Sequence, residues 1–207
     1  MEVFVLILEL LGTAAFALSG AMIALRHEMD LFGVCMLGLV TACGGGVLRD
    51  LLLGQLPPVM FREPVFALVA VVASLILFLP VVRRALQAHE STYERTLLLL
   101  DSAGLGIFTA MGVAAAFRAG YGGNVFFSVF LGSITGVGGG VLRDVLAGQR
   151  PYIFVKHIYA IAAIIGALIC ALLWDPMGQR GAMLICLASV ILIRLLAAHY
   201  RWSLPKA

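Results

Sequence analysis

The sequence predicts an all-α integral membrane protein with seven transmembrane helices, arranged as two inverted three-helix repeats followed by a seventh helix. Three observations support this fold class: a very apolar composition, a series of long apolar stretches and an internal duplication. Of the 207 residues, 62% are hydrophobic and 12% are charged, and the mean hydropathy is +1.08. The surface of a soluble domain needs more polar residues than this. The composition therefore excludes a soluble enzyme, a nucleic-acid binder and a disulfide scaffold.

The apolar stretches are about 17 to 23 residues long, which is enough to cross a hydrocarbon core of roughly 30 Å. We predict spans at residues 3–25, 31–53, 65–82, 97–117, 125–147, 158–174 and 181–198. The first stretch contains Glu9 and follows no basic segment, so it is expected to remain as a helix and not to be removed as a signal peptide. The only linker is expected at residues 83–95, and residues 1–207 are expected to form a single membrane domain.

Basic residues in short loops predict the orientation, because such residues are retained on the cytoplasmic side. With the N-terminus outside, nine basic residues fall on the inner side and three on the outer side. The nine are Arg26, Arg83, Arg84, Arg95, Arg150, Lys156, Arg194, Arg201 and Lys206, and the three are Arg62, Arg118 and Arg180. We therefore predict a multi-pass protein of the cell inner (plasma) membrane, with the N-terminus outside and the C-terminus in the cytoplasm.

The chain contains an internal repeat. The segment TACGGGVLRDLLLGQLP at 41–57 returns as TGVGGGVLRDVLAGQRP at 135–151. Upstream, a set of matching positions pairs Glu9, Gly12, Phe16, Gly20 and Ala24 with Asp101, Gly104, Phe108, Gly112 and Ala116. The repeats cover about 3–82 and about 97–174, and the extra helix about 181–198. Because three spans is an odd number, the second copy must be inverted, an arrangement typical of transport proteins.

Helical periodicity places the five matching positions of each repeat on one face of its first helix. The stripe formed by Glu9, Gly12, Phe16, Gly20 and Ala24, like that of its repeat counterparts, is expected to face the protein interior. Its small residues allow neighbouring helices to approach closely.

Each copy contains three consecutive glycines, Gly44, Gly45 and Gly46 in the first and Gly138, Gly139 and Gly140 in the second. Three glycines lower helix propensity by about 3 kcal/mol relative to alanine, so we predict that both helices bend or break there. A break in hydrocarbon must face protein or a water-filled cavity, because lipid cannot bond the freed backbone groups. Two interpretations remain: discontinuous helices that line a permeation path, or kinks that serve close packing.

Four charged residues follow the glycines inside apolar spans: Arg49, Asp50, Arg143 and Asp144. Charges within the bilayer are costly and by default indicate a functional interior. Glu9 and Arg49 share one depth, and the repeat gives Asp101 and Arg143 a matching depth on the other side. We therefore predict two ion pairs, Glu9 with Arg49 and Asp101 with Arg143. This leaves Asp50 and Asp144 near the N-terminal ends of the second half-helices, beside the ion path. In the alternative interpretation, all these charges only hold helices together.

The duplicated GGGVLRD-x-L-x-G-Q-x-P block on a seven-helix chain resembles the prokaryotic trimeric intracellular cation (TRIC) channel family, whose bacterial sequences are also labelled with a glycine transporter domain. The resemblance implies a homotrimer in which each protomer has its own pore, bordered by spans one, two, four and five. It implies conduction of monovalent cations, chiefly K⁺. It also assigns the two glycine triplets to kinks of the pore helices.

Two functions are weighed. The first is a monovalent cation (K⁺) channel, and the alternative is a secondary transporter of glycine or another small solute. No enzyme activity, catalytic residue, cofactor or nucleic-acid partner is expected, and no metal beyond transient K⁺ or Na⁺. The expected partners are these ions, membrane lipid and two further copies of the chain.

Overall fold

The computed structural model describes residues 3–155 and 158–202. Within those residues every regular element is a helix. The helices are α1 (Val3–Arg26), α2 (Leu31–Leu52), α3 (Val59–Arg62), α4 (Val65–Phe78), α5 (Pro80–Gln87), α6 (Glu90–Arg118), α7 (Val125–Leu146), α8 (Tyr152–Val155) and α9 (Tyr159–His199). Lys156 and Lys206, which were assigned to the inner side from the sequence, lie outside the described residues.

Five helices, namely α1, α2, α6, α7 and α9, are long and apolar enough to cross a membrane. Together α4 and α5 pass the same test as a sixth span, although they are bent by 74° relative to each other. The predicted class, an all-helical membrane protein, is therefore confirmed. The bounds of α1, α2 and α7 agree with the predicted spans to within one residue.

The third predicted span, residues 65–82, is wrong at its C-terminal end. The helix α4 ends at Phe78, and Leu79 adopts an extended conformation with a ψ of 132° before Pro80 begins α5. A residue before proline is disfavoured in the helical region, and proline is well suited to the first turn of a new helix. The predicted linker at 83–95 is also mostly helical, because it is divided between the end of α5 and the start of α6.

The helix α9 spans 41 residues but is interrupted at Gly178, whose φ of 70° and ψ of 167° are not helical. Gly166 packs against the side chain of Val190, although a straight helix would separate these residues by about 36 Å. The two parts of α9 therefore fold back on each other around Gly178. A positive φ of this kind is accessible to glycine at little cost.

The helices α2 and α7 begin with matching caps, as the duplication leads one to expect. The Asp30 carboxylate accepts a hydrogen bond from the Gly33 N–H at 2.8 Å, and the Asn124 side-chain oxygen accepts one from the Phe127 N–H at 3.0 Å. Each cap bonds an N–H group that has no partner inside its helix.

The helices α1 and α6 run antiparallel against each other. Near one end, the Tyr93 hydroxyl of α6 donates to the Met22 carbonyl of α1 at 2.7 Å. Near the middle, the Phe16 and Phe108 rings stack with centroids 5.3 Å apart, and the Phe16 ring occupies the space beside Gly104. The predicted interior stripe of each helix, from Glu9 to Ala24 and from Asp101 to Ala116, is confirmed because all ten positions are buried.

The helices α2 and α7 cross each other, also antiparallel, at the two glycine triplets. Here the predicted break is wrong, because both helices continue through the glycines. A Cβ atom on Gly45 would collide with the Thr135 carbonyl, and one on Gly139 would collide with the Thr41 carbonyl. The glycines thus allow two backbones to touch. Tertiary packing of this kind offsets a helix propensity that is low by about 3 kcal/mol.

Candidate functional site

Two charged cavities lie at opposite ends of the α1–α6 pair. The first, which we name the Glu9 cavity, has a volume of about 360 Å³ and is lined by Glu9, Arg49, Asp50, Gln55, Val59, Arg62, Glu63, Ala115 and Arg118. The second, the Asp101 cavity, has a volume of about 450 Å³ and includes Arg26, Glu94, Arg95, Asp101, Tyr152, Arg194 and Arg201 in its lining. The two carboxylates for which the cavities are named occupy matching positions of the two repeats.

At the Glu9 cavity, Arg49 lies closer to its neighbour in sequence than to Glu9. Its Nε donates to Asp50 Oδ1 at 2.8 Å, whereas Nη1 is 3.9 Å from Glu9 Oε1. The Glu9–Arg49 contact is therefore an ion pair at long distance with no hydrogen bond. The Glu9 carboxylate lines the cavity and is 8% exposed.

At the Asp101 cavity the corresponding contact is short. Arg143 Nη1 donates to Asp101 Oδ1 at 2.7 Å and to Ser19 Oγ at 2.6 Å, and Arg143 Nε donates to Asp144 Oδ1 at 2.8 Å. Arg143 is fully buried, so these are charge-assisted hydrogen bonds in a place that water does not reach.

Asp50 and Asp144 have a different environment from the one predicted. Asp50 Oδ2 accepts a hydrogen bond from the Val59 N–H at 2.8 Å, and Asp144 Oδ2 accepts one from the Tyr152 N–H at 2.7 Å. Since Val59 begins α3 and Tyr152 begins α8, each carboxylate bonds the first residue of a short helix. The predicted position at the start of a second half-helix is wrong, because α2 and α7 are continuous.

Two residues that the sequence analysis did not single out complete the Asp101 site. Arg194 of α9 is 3% exposed, and its Nη2 lies 3.6 Å from Asp101 Oδ2. The Tyr159 hydroxyl lies 3.5 Å from Asp101 Oδ1, and the Arg194 guanidinium covers the Tyr159 ring at 4.7 Å from its centroid. The signal for Arg194 in the sequence is its place inside the last apolar stretch, although the sequence analysis assigns it to the inner loops.

The two sites also differ beside the third glycine of each triplet. A Cβ atom on Gly140 would lie 2.8 Å from the Tyr159 hydroxyl, whereas one on Gly46 would meet only Arg49 Nη2, at 3.8 Å. A narrow space of about 20 Å³, large enough for about one water molecule, continues from Glu9 past Thr13 and Gly46 to Phe108. Beside the third glycine, the Glu9 half therefore has a small open space, whereas the Tyr159 side chain fills the corresponding place in the Asp101 half.

Among the residues that the structure describes, no group of three or more His, Cys, Asp or Glu side chains is placed to hold a metal ion. The charged groups of the two cavities are instead carboxylates interleaved with arginines. Such a lining suits a mobile ion or a small solute more than a tightly held metal.

These features define a class of protein: a multi-pass helical membrane protein with a charged cavity at each end of one antiparallel helix pair. The sequence model of the family described as "Glycine transporter" matches residues 6–81 and again residues 98–175, and the chain belongs to this family. The two matches correspond to the two predicted repeats.

Relatives have similar sequences over most of the chain. The UPF0126 inner membrane protein YadS of Escherichia coli K12 is 38% identical over 200 residues, which cover 96% of this chain and 93% of that protein. A UPF0126 membrane protein of Deinococcus radiodurans is 42% identical over 162 residues, which cover 77% of this chain and 72% of the relative.

Solved structures with the same fold are TRIC channels. One of them, from a study of the structural basis for conductance through TRIC cation channels, has a TM-score of 0.85 at 36% identity. The match covers 97% of this chain and 96% of that chain. The TRIC trimeric intracellular cation channel orthologue from Rhodobacter sphaeroides has a TM-score of 0.86 at 32% identity. The match covers 97% of this chain and 100% of the orthologue's chain. The predicted resemblance to prokaryotic TRIC channels is confirmed.

Proposed function

We propose that the protein is a monovalent cation channel that conducts K⁺ along a path within each protomer. The observation that carries this proposal is the pair of charged cavities at opposite ends of α1 and α6, separated by a short packed region. The similarity to TRIC cation channels supports it. Na⁺ is the second candidate ion.

The proposed architecture has seven spans, with two inverted repeats and the N-terminus outside the inner membrane. The antiparallel contacts of α1 with α6 and of α2 with α7 support the inverted repeat, because these helices are repeat counterparts. The fold-back of α9 at Gly178 supports the division of that helix into a sixth and a seventh span. The trimeric relative from Rhodobacter sphaeroides supports a homotrimer.

In the conformation described, two contacts close the path between the cavities. The Phe16–Phe108 stack and the backbone contacts of Gly45 and Gly139 leave little space between the helices. Conduction therefore requires α2 and α7 to separate or bend at the crossing. The triplets Gly44–Gly46 and Gly138–Gly140 are the positions where bending costs least, since glycine contributes least to helix stability.

The charged residues have two roles: some attract cations, and others hold neighbouring helices together. Glu9 supplies negative potential at one end of the path, where a carboxylate raises the local cation concentration. At the other end Asp101 is paired with Arg143 and Arg194, so its charge is available to a cation only when these contacts loosen. Arg49 and Arg143 are held against Asp50 and Asp144, which keeps each guanidinium beside a compensating charge. Asp50 and Asp144 contribute to the potential of the path while they are bonded in this way.

One observation favours the alternative, a transporter of glycine or another small zwitterion. The Glu9 cavity is lined by both charge signs, with Glu63 and Glu9 available to an ammonium group and Arg62 available to a carboxylate. The family description also names glycine transport. Alternating access of the two repeats would then replace a continuous path.

Purified protein in planar lipid bilayers separates the two functions. Unitary K⁺ current steps support the channel, whereas saturable glycine uptake into vesicles without current steps supports the carrier. Protein that gives neither signal, although it is folded and correctly assembled, contradicts both proposals.

A further inference from the structure

The short helix α5 departs sharply from the direction of the membrane spans. It follows α4, which packs lengthwise against the spans α1 and α2, and it is bent by 74° relative to α4. Because α4 runs across the membrane with its neighbours, α5 lies close to the membrane plane.

The residues of α5 are divided into an apolar face and a basic face. At 100° per residue, Val81, Val82, Ala85 and Leu86 share one side, and Arg83 and Arg84 lie on the other. Val82 and Leu86 pack against the buried cluster that contains Tyr93 of α6. Val81 is 81% exposed, so the apolar face extends beyond what the protein covers.

The length of α4 determines how deep α5 lies. With 14 residues, α4 is about 21 Å long, whereas the hydrocarbon core is roughly 30 Å thick. A helix of this length that begins at one boundary ends about 9 Å before the other, so α5 starts in the acyl chains just below the headgroups. At that depth an exposed valine contacts acyl chains, and arginine side chains extend outwards to the phosphates.

Neither arginine of α5 is neutralised by a carboxylate of the residues that the structure describes. Both side chains are exposed, and within residues 3–155 and 158–202 no carboxylate lies at ion-pair distance from either. Glu90, which begins the next helix, is bonded to Arg26 at 2.9 Å. Two adjacent guanidinium groups at a lipid boundary are complementary to phosphate anions.

We propose that α5 is an interfacial helix that binds anionic lipid headgroups of the cytoplasmic leaflet through Arg83 and Arg84. The apolar face of α5 anchors the helix, and the two guanidinium groups select phosphate-bearing anionic lipid over neutral lipid. The choice of leaflet rests on the proposed orientation with the N-terminus outside, and the proposal does not depend on which solute the protein transports.

The first test measures lipid selectivity. Purified protein is placed in nanodiscs of phosphatidylcholine, alone or mixed with phosphatidylglycerol, and the lipids retained are counted by native mass spectrometry. The wild type is expected to enrich phosphatidylglycerol. Each change, Arg83→Gln or Arg84→Gln, is expected to weaken the apparent affinity about fivefold, since one basic residue near an anionic surface contributes about 1 kcal/mol. The enrichment should fall with added salt.

Matched variants distinguish lipid binding at α5 from a general effect of the protein's positive charge. Arg150→Gln removes an exposed arginine outside α5 and should retain wild-type enrichment, whereas Arg83→Lys with Arg84→Lys should retain most of it because the charge remains. Unchanged enrichment in the double glutamine variant would overturn the proposal. A loss of equal size in Arg150→Gln would also overturn it.

The second test measures the depth of α5. A spin label at Val81→Cys should be reached by dissolved oxygen, and one at Arg84→Cys should be reached by a water-soluble nickel reagent. A label at Val81→Cys that neither reagent reaches would show that a second copy of the chain covers α5. That result would overturn the lipid interface.

Discussion

Arg143 donates to Asp101 over 2.7 Å, whereas the repeat counterparts, Arg49 and Glu9, are separated by 3.9 Å. The same residue pattern thus produces a tight ion pair in one half of the protein and a loose one in the other. The difference follows from what surrounds the carboxylates. Both carboxylates border a cavity, but Asp101 is also contacted by Tyr159 and Arg194, whereas the ion pair of Glu9 with Arg49 is long.

This asymmetry predicts different stability losses for two equivalent substitutions. Asp101→Asn leaves Arg143 and Arg194 buried beside a neutral group, and breaking a buried pair typically costs about 3–5 kcal/mol. Glu9→Gln removes a longer contact that borders a cavity and should cost less. Thermal unfolding in detergent, followed by oligomer size, measures both losses. Equal losses would contradict the asymmetry.

The crossing of α2 and α7 predicts position-dependent effects of adding a single methyl group. Gly45→Ala and Gly139→Ala each place a Cβ atom against a backbone carbonyl, which cannot move as a side chain can. Overpacking of a core typically costs about 1–3 kcal/mol. Gly46→Ala is the control, because its Cβ would meet only Arg49 Nη2, at 3.8 Å. Thermal unfolding of the three variants tests this order, and a destabilised Gly46→Ala with an unaffected Gly45→Ala would refute the packing role.

The sequence predicted those features of the fold that depend on helical periodicity or on hydropathy alone. The interior stripe from Glu9 to Ala24 followed from helical periodicity, and the ends of α2 followed from hydropathy. The predicted break at the glycine triplets was wrong because helix propensity is a local quantity. The contact between Gly45 and the Thr135 carbonyl is made with a helix that lies far away in sequence.

The contacts of Asp101 with Arg194 and of Asp50 with Val59 could not be predicted from the sequence. Arg194 lies in the part of α9 that follows Gly178, outside the two predicted repeats, so no matching position fixed its depth. Asp50 bonds the Val59 N–H across a proline-containing loop, and no periodicity relates these residues. Contacts of this type depend on the path of a loop, which hydropathy does not determine.

The proposed inverted repeat and the count of basic residues predict which side each loop faces. Cysteine substitutions at Ser91 and Met177, in a background without Cys35, should be labelled by an impermeant maleimide from opposite sides, with Ser91 cytoplasmic. Both positions are exposed, and Met177 does not need the positive φ that Gly178 adopts. Labelling of both from the same side would contradict the seven-span arrangement.

The proposed cation path predicts a role for Glu9 in conduction. Its carboxylate lines the cavity, where one negative charge raises the local concentration of cations. Glu9→Gln should therefore lower the unitary K⁺ conductance, and the reduction should be largest at low ionic strength, where screening is weak. Glu28→Gln is the matched control, because Glu28 is exposed and lies outside the lining of the Glu9 cavity. Single-channel recordings at two salt concentrations measure the effect. If well-folded Glu9→Gln conducts K⁺ as the wild type does at both concentrations, cations do not pass this carboxylate, and the path must lie elsewhere.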